Sequence, residues 1–167
     1  MQSEERYVIG IDSSTQSVKA IAWSKDGQPC FEGRARHTLI TPDAHRAEQD
    51  PDEWWSAAIT ALKAVAGAID PDRIDGIAIS NQRETMALLD DQRRPLAPAT
   101  VWLDRRARDM PALLADELGA DVLHGISGKP VDVIPCVYRL RWMRANQPEL
   151  LDKAAYILSV HDYLTMQ

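Results

Sequence analysis

The amino-acid sequence predicts an α/β domain in which a mixed sheet carries helices on its faces. Three observations indicate this fold class. The first 40 residues contain three short strand-like segments, a long amphipathic helix follows them, and strands and helices then alternate. The 167 residues fit one domain, which can bury roughly 70% of the surface that its unfolded chain exposes.

The sequence begins with a predicted antiparallel meander. Tyr7–Asp12 and Val18–Trp23 are short apolar runs with β-branched residues, which is typical of buried strands. The turn Lys25–Pro29 follows the second run, and Cys30–Leu39 supplies a third strand with weaker alternation. We therefore expect three neighbouring strands at the start of the chain.

The clearest helix is predicted over Asp50–Ile69. Asp50 is the expected N-cap, Pro51 takes the first helical position, and Glu53 completes a capping box. Apolar residues at helical spacing predict one buried stripe. The stripe consists of Trp55, Ile59, Leu62, Ala66 and Ile69.

The rest of the sequence alternates between the two element types. Strands are predicted over Ile74–Ser80, Thr85–Leu89, Ala99–Leu103 and Ala155–Ser159. Helices are predicted over Asp104–Leu118, Pro135–Asn146, Glu149–Lys153 and from Val160 onwards. Pro111 is expected to kink or split its helix, because an interior proline removes a hydrogen bond. The last helix ends without a stop signal, which predicts that the chain is part of a longer protein.

Composition and charge exclude several classes of protein. Apolar residues make up 45% and charged residues 26% of the sequence, as in ordinary soluble globular proteins. The net charge of −6 argues against nucleic-acid binding. No apolar run approaches the roughly 18 residues that a membrane span needs, and the N-terminus does not resemble a signal peptide. We expect a cytoplasmic protein without a membrane partner.

Cysteines and histidines follow no metal-ligand or disulfide spacing. We interpret Cys30 and Cys136 as buried small apolar residues. The four histidines are interpreted as surface or loop residues. They are His37, His45, His124 and His161.

Polar clusters follow four of the predicted strands. Ligands bind beyond the carboxyl ends of strands in open α/β sheets, so these clusters predict a site. The clusters are Asp12–Ser17, Ser80–Thr85, Leu103–Arg106 and Ser159–Asp162.

The first cluster has two interpretations. The Asp12 carboxylate can hold a hydrated Mg²⁺ ion, since this cation prefers oxygen ligands and keeps several waters. Ser13, Ser14 and Thr15 can turn hydroxyl and N–H groups towards a phosphate. Alternatively, the Asp and Ser side chains satisfy the backbone of their own turn. The segment lacks the GxxxxGK[ST] pattern of a P-loop.

The second and third clusters carry groups that suit a polyhydroxyl ligand. Arg83 offers planar donors and Glu84 offers acceptors, and the alternative is a surface ion pair in a hairpin loop. Trp102, two residues before Asp104, can wall a sugar pocket with its apolar face, and the alternative is a core tryptophan. The arginines after Asp104 are interpreted as a solvated helix face.

Four segments, in order along the chain, resemble the N-terminal region of the FGGY family of carbohydrate kinases. YVIGIDSSTQSVKA resembles the first phosphate loop of the family, and DGIAISNQRET is similar to the substrate segment of glycerol kinases. VWLDRRA resembles the tryptophan-containing segment, and SVHDYLT the corresponding helix of xylulokinases. The resemblance covers essentially the whole chain, from residue 7 to residue 167.

The resemblance implies a ribonuclease H-like (actin-like ATPase) fold and an N-terminal kinase domain over residues 1–167 that is incomplete. The parent protein would transfer the γ-phosphoryl group of ATP to a sugar or polyol hydroxyl, with a pentulose such as xylulose favoured. ATP and Mg²⁺ are the implied cofactors. Asp12 would organise Mg²⁺, and Ser14 and Thr15 would lie near the ATP phosphates.

The same resemblance implies a set of substrate contacts. Arg83 and Glu84 would bind substrate hydroxyls, Trp102 would wall the sugar site, and Asp104 would belong to the same pocket. The family contains dimers and tetramers, so a homo-oligomer stays open.

Departures from the family pattern limit these expectations. Ser14 stands where most members have glycine, Arg83-Glu84 replaces a Met-His pair of xylulokinases, and Ile134 stands where glycerol kinases have a substrate tyrosine. The catalytic base of the family is an aspartate in a later motif, expected beyond residue 167, as is the second domain. We therefore expect the 167-residue chain alone to be inactive. The alternative is a non-catalytic sugar-binding or assembly module with the same fold.

Overall fold

The computed structural model describes residues 5–167 and divides into two units, each with a four-stranded sheet. The first unit contains the described residues up to Leu39, together with Asp50–Arg83 and Ser159–Gln167. The second unit contains Ile40–Gln49 and Glu84–Leu158.

The strands and helices follow the predicted order with a few differences. The strands are β1 Tyr7–Ser13, β2 Ser17–Ser24, β3 Pro29–Arg36, β4 Glu48–Gln49, β5 Ile74–Asn81, β6 Met86–Leu89, β7 Ala99–Thr100 and β8 Tyr156–Ser159. The helices are α1 Pro51–Ala66, α2 Met110–Leu118, α3 Ala120–Ser127, α4 Cys136–Asn146, α5 Pro148–Lys153 and α6 Val160–Met166. A short 3-10 turn, Pro71–Arg73, precedes β5.

The sheet of the first unit is mixed, as predicted. Its strand order is β3-β2-β1-β5, in which β1 and β3 both pair with β2 in antiparallel orientation. Strand β5 runs parallel to β1. Side chains alternate along β1, so that Ile9 and Ile11 are buried while Asp12 is exposed on the other face. This alternation decides which residues at the end of β1 can meet a ligand.

Helix α1 begins as predicted, but its capping box does not form. The Asp50 side chain accepts a hydrogen bond from the N–H of Asp52 at 3.0 Å. Glu53 turns outward instead and accepts from the N–H of Thr38 at 2.6 Å. Because Thr38 follows β3, Glu53 connects the start of α1 to the end of this strand.

The predicted buried stripe of α1 is wrong by about one position. Trp55, Ile59 and Leu62 are half-buried and Ala66 is exposed, whereas Ile69 is buried as expected. The residues of α1 that face the core are Pro51, Trp54, Ala57, Ala58, Ala61 and Val65.

Close packing against β3 explains the shift of the stripe. A Cβ atom on Gly33 would lie 2.1 Å from the carbonyl oxygen of Ala61 and 2.8 Å from the Cβ of Ala64. The helix backbone therefore approaches the strand so closely that small residues face it. Larger apolar side chains are displaced towards the flanks of the helix.

The second unit has a sheet of order β4-β7-β6-β8. The predicted strand Ala99–Leu103 is shorter in the structure, and residues 104–109 are not helical as predicted, with turns over residues 106–109. Pro111 lies in the first turn of α2 and starts the helix instead of kinking it, since a missing N–H costs nothing there. Helix α3 was not predicted.

Three single-residue expectations need correction or restriction. Cys30 is exposed, because β3 is an edge strand, and Cys136 is only half-buried. His37 lies in the loop after β3, as the loop interpretation allows, but at 7% exposed it is buried and not a surface residue. Among residues 5–167, no helix is long and apolar enough to cross a membrane.

Candidate functional site

Two of the four predicted polar clusters meet at one edge of the first unit's sheet. Parallel pairing of β1 with β5 sets Asp12 beside Ser80 and Ser13 beside Asn81. The pairing continues past the strands, because the N–H of Gln82 donates to the carbonyl oxygen of Ser13 at 2.9 Å. The carboxyl ends of both strands thus present their loops together, as the sequence predicted.

Asp12 offers an open carboxylate at this edge. Its side chain is exposed, and no described residue forms a hydrogen bond or ion pair with the carboxylate. Lys19 on β2 is the direct cross-strand partner of Asp12, so the two side chains share one face of the sheet. An exposed carboxylate with free oxygens fits a Mg²⁺ ion that keeps most of its waters.

The loop after Asp12 uses one of its serines to hold its own backbone. The N–H and the hydroxyl of Ser14 both donate to the carbonyl oxygen of Ser17 at 3.0 Å. The Ser13 hydroxyl is fully buried and has no hydrogen-bond partner among the described residues. Thr15 is half-buried. The interpretation as a self-satisfied turn therefore holds for the Ser14 side chain. The backbone of the loop lies at the ends of β1 and β2.

The serine at position 14 fits its backbone conformation. Among residues 5–167, the non-glycine residues with positive φ are Glu84 at 54° and Arg93 at 65°. Ser14 is not one of them, so the loop does not require the conformational freedom of glycine at this position.

Glu84 begins the second unit and is fixed by three residues from later in the chain. Its carboxylate forms an ion pair with the Lys129 ammonium group and accepts from the N–H of Cys136 at 2.8 Å. The Arg139 guanidinium donates to the Glu84 carbonyl oxygen and, at 3.0 Å, to that of Ile134. These contacts hold Glu84 in its left-handed conformation, which is costly for a residue other than glycine, asparagine or aspartate.

The contacts also keep the Glu84 carboxylate ionised. Partial burial raises the pKa of Glu84, but the hydrogen bonds from Lys129 and the Cys136 N–H outweigh it and hold the pKa below its ordinary value. The side chain is 18% exposed, so part of the carboxylate faces solvent. An oriented anion with remaining lone pairs can accept hydrogen bonds from ligand hydroxyls.

Arg83, the residue before Glu84, ends the first unit. It is exposed, and no described residue forms a side-chain hydrogen bond or ion pair with it. Its five donors remain available to a ligand.

Asp104 lies in a buried network and not at an open surface. It is fully buried, and its two oxygens accept from the guanidinium of Arg106 at 2.8 Å and from the N–H of Ala47 at 2.9 Å. Arg106 also pairs with Glu48 and lies over the ring of Trp142. Desolvation lowers the pKa of Arg106, but its carboxylate partners outweigh this and raise the pKa. Arg106 is thus a buried ion-pair residue, not part of a solvated face.

Trp102 is half-buried, and a hydrogen bond to Thr85 connects it to the residue that follows Glu84. Its N–H donates to the Thr85 hydroxyl at 3.3 Å, and Thr85 follows Glu84 directly. The network around Asp104 fixes the backbone two residues after Trp102. Asp104 can therefore influence this tryptophan without touching a ligand.

The fourth predicted cluster caps a helix. The N–H of Asp162 donates to the Ser159 hydroxyl at 3.3 Å, and the Asp162 carboxylate accepts from the N–H of Ser159 at 3.0 Å. This reciprocal pair is a capping box at the start of α6.

Sequence reasoning missed three residues that shape these clusters. Lys19 could have been found from strand alternation, once the pairing of β1 with β2 is assumed. Lys129 and Arg139 contact Glu84 across 45 and 55 residues of sequence, and no local pattern indicates either contact.

Comparisons with known proteins identify the family of the chain. The N-terminal domain of the FGGY family of carbohydrate kinases matches residues 7–167. A xylulose kinase from Bacillus subtilis (strain 168) is 31% identical over 163 residues, which is 95% of this chain and 32% of that protein. A glycerol kinase from Thermococcus gammatolerans is 32% identical over 152 residues, which is 90% of this chain and 31% of that protein.

A solved structure supports the fold class directly. The xylulose kinase from Rhodospirillum rubrum superposes with a TM-score of 0.91 at 27% identity, covering 96% of this chain and 33% of that one. The fold is therefore that of the actin-like ATPases, as the sequence predicted. The chain spans about a third of the length of the relatives that it matches.

Proposed function

The chain belongs to the FGGY family of carbohydrate kinases, and we propose that the protein containing it transfers the γ-phosphoryl group of ATP to a hydroxyl of a sugar or polyol. The family match supports the reaction class. The observation that supports the substrate class best is the ionised, oriented carboxylate of Glu84. We place this kinase in the cytoplasm and assign residues 1–167 to its N-terminal, substrate-binding part.

The proposed nucleotide end of the site is the edge where β1 and β5 finish. Asp12 would hold a hydrated Mg²⁺ ion, and Thr15 and the backbone of Ser14 would lie near the phosphates of ATP. Lys19, across from Asp12, brings a positive charge to the same face. When bound, Mg²⁺ would neutralise negative charge on the phosphates. The residues of the chain contribute positioning and charge, which dominate this reaction.

The proposed substrate contacts are Arg83, Glu84 and Trp102. Arg83 donates hydrogen bonds to substrate hydroxyls, Glu84 accepts them, and the indole of Trp102 covers the apolar face of the sugar. Asp104 acts as a positioning residue, because its carboxylate is buried and already occupied. We expect the base that accepts the hydroxyl proton, and the adenosine site, outside residues 1–167.

A pentulose such as xylulose is our first substrate candidate. The xylulose kinase match extends over 95% of the chain, but the glycerol kinase match is similar in identity. The Arg83-Glu84 pair resembles glycerol kinases, so a polyol is the second candidate. The assignment therefore needs a ligand panel.

A thermal-shift panel tests this proposal on the longest chain that the gene encodes. Xylulose, gluconate and glycerol are each added with and without ATP–Mg²⁺, because a ligand that binds the native state raises its melting temperature. We expect a shift with one ligand that is lost in Glu84→Gln and Arg83→Ala. The matched controls are Glu149→Gln, at an exposed helix position, and Arg93→Asn, since asparagine tolerates the positive φ of that turn.

The outcomes separate the two functions under consideration. A sugar shift that survives both site variants contradicts the substrate assignment. A sugar shift without any ATP–Mg²⁺ shift in a folded protein favours the non-catalytic sugar-binding module.

A further inference from the structure

The first unit contains a cavity with a strongly one-sided charge. Its volume is about 220 Å³. The lining residues are Gln16, Ser17, Arg34, Arg36 and His37. Two guanidinium groups, an imidazole, a hydroxyl and an amide thus surround the cavity, and no carboxylate is among them.

Strand pairing brings the two arginines together. Ser17 pairs with Arg36, and Lys19 pairs with Arg34, across the β2–β3 ladder. Arg34 and Arg36 are two residues apart on β3, so their side chains lie on the same face of the sheet, roughly 7 Å apart along the strand. Like charges at this separation repel each other, and an anion bound between them would offset this repulsion.

Several of the donors are already oriented. Arg34 donates to the Ser17 hydroxyl from Nη2 at 3.1 Å and from Nε at 3.4 Å. His37 is buried, and its Nε2 lies 3.0 Å from the carbonyl oxygen of Ser14, to which it donates. By contrast, no described residue forms a side-chain hydrogen bond or ion pair with Arg36. One guanidinium therefore faces the cavity with its donors uncommitted.

We propose that this cavity binds a tetrahedral phosphate-type oxyanion, either inorganic phosphate or the phosphoryl group of an organic phosphate. Arg36 and Arg34 supply charge-assisted hydrogen bonds from β3, and Gln16, just before β2, supplies an amide donor. Two guanidinium groups and an amide offer more donors than a planar carboxylate requires, since a single guanidinium fork satisfies it, and they suit the several oxygens of a tetrahedral anion. Ionic attraction alone would draw any anion, so the number of hydrogen-bond donors carries the specificity.

The oxyanion site is connected to the loop that follows Asp12. His37 contacts Ser14 and Arg34 contacts Ser17, and Ser14 and Ser17 hydrogen-bond each other. An anion that fixes Arg34 therefore also restrains this loop. By linkage, any ligand of the loop and the oxyanion alter each other's affinity by the same factor.

Calorimetric titration of the longest chain that the gene encodes tests the proposal in phosphate-free buffer. The probes are inorganic phosphate and methyl phosphate, which separate a free ion from an organic monoester. We expect saturable binding of one equivalent, weakened at least about tenfold in Arg36→Gln, because a charge-assisted hydrogen bond is lost. Tighter binding of methyl phosphate than of inorganic phosphate identifies an organic phosphate as the ligand.

Two controls separate this site from the loop itself and from general charge effects. Asp12→Ala is expected to keep phosphate binding, since Asp12 is outside the cavity lining. Arg144→Gln removes one exposed positive charge in the second unit and is expected to bind phosphate like the wild type. Non-saturable binding, equal weakening in Arg144→Gln, or complete competition by ATP–Mg²⁺ would overturn the proposal.

Discussion

Replacing Arg139 with methionine is expected to destabilise the second unit and to release Glu84. The Arg139 side chain is fully buried, and Met143, one turn further along helix α4, is also buried, whereas Arg141 between them is exposed. It donates to the carbonyl oxygens of Glu84 and Ile134 and contacts the Cys136 sulfur at 3.3 Å. Methionine fills a similar volume but supplies no donor.

The magnitude follows from the groups left without partners. Each buried carbonyl that loses its donor costs about 1–3 kcal/mol. Removing a buried charge recovers part of this cost, and the Arg139 Nε already lacks a hydrogen-bond partner among the described residues. We therefore expect a net loss of about 2–4 kcal/mol in the free energy of unfolding.

Urea denaturation followed by tryptophan fluorescence measures this loss, with Arg141→Met as the matched control. Arg141 lies on the same helix, but its pair with Glu117 is nearly half exposed, at 47% and 48%. Such surface pairs contribute at most about 1 kcal/mol. If Arg139→Met and Arg141→Met lose the same stability, then the buried guanidinium does not hold Glu84 as the contacts indicate.

Three further predictions concern packing, pH and the buried network. Gly33→Ala should lose about 2–4 kcal/mol of unfolding free energy, because its Cβ would lie 2.1 Å from the Ala61 carbonyl oxygen. Because the pKa of Glu84 is lowered, its ionised carboxylate contributes its full stabilisation at pH values above the ordinary glutamate pKa. This stabilisation disappears as the pH falls through the lowered pKa of Glu84. The difference in unfolding free energy between the wild type and Glu84→Gln should therefore close in acid. Asp104→Asn should lose about 2–4 kcal/mol, because it leaves the buried Arg106 with one carboxylate partner fewer.

Each of these variants has a matched control, and all are compared by urea denaturation. Gly76→Ala meets no atom within 4 Å, and a loss as large as that of Gly33→Ala would refute the close-packing explanation. Glu149→Gln and Asp109→Asn alter exposed carboxylates of the second unit. If Glu149→Gln shows the same acid-dependent gap, or Asp109→Asn the same loss, the roles of Glu84 and Asp104 are not specific.

The elements with strong local patterns were predictable from the sequence. Short apolar runs that end in polar residues predicted β1 and β5, and parallel pairing of these strands then brought Asp12 beside Ser80. The family pattern led to Glu84 as well. Local hydrophobic periodicity and strand length are sufficient for such predictions.

The remaining features depend on contacts that local patterns do not report. The core face of α1 was predicted from its largest apolar residues, yet the close approach at Gly33 selects alanines for that face. Glu84 was recognised as an acceptor, but Lys129 and Arg139 reach it from distant loops and helices. Packing partners so far apart in sequence are decided by the fold and not by a motif.

The central claim is that the protein containing this chain transfers a phosphoryl group from ATP to a sugar or polyol. Phosphorus NMR of the longest chain that the gene encodes, incubated with ATP–Mg²⁺ and xylulose, gluconate or glycerol in turn, observes this transfer directly. We predict a phosphate monoester signal with one of these substrates, formed together with ADP and reduced about tenfold or more in Glu84→Gln. ATP consumption that yields only inorganic phosphate, or a monoester signal undiminished in Glu84→Gln, would contradict the account.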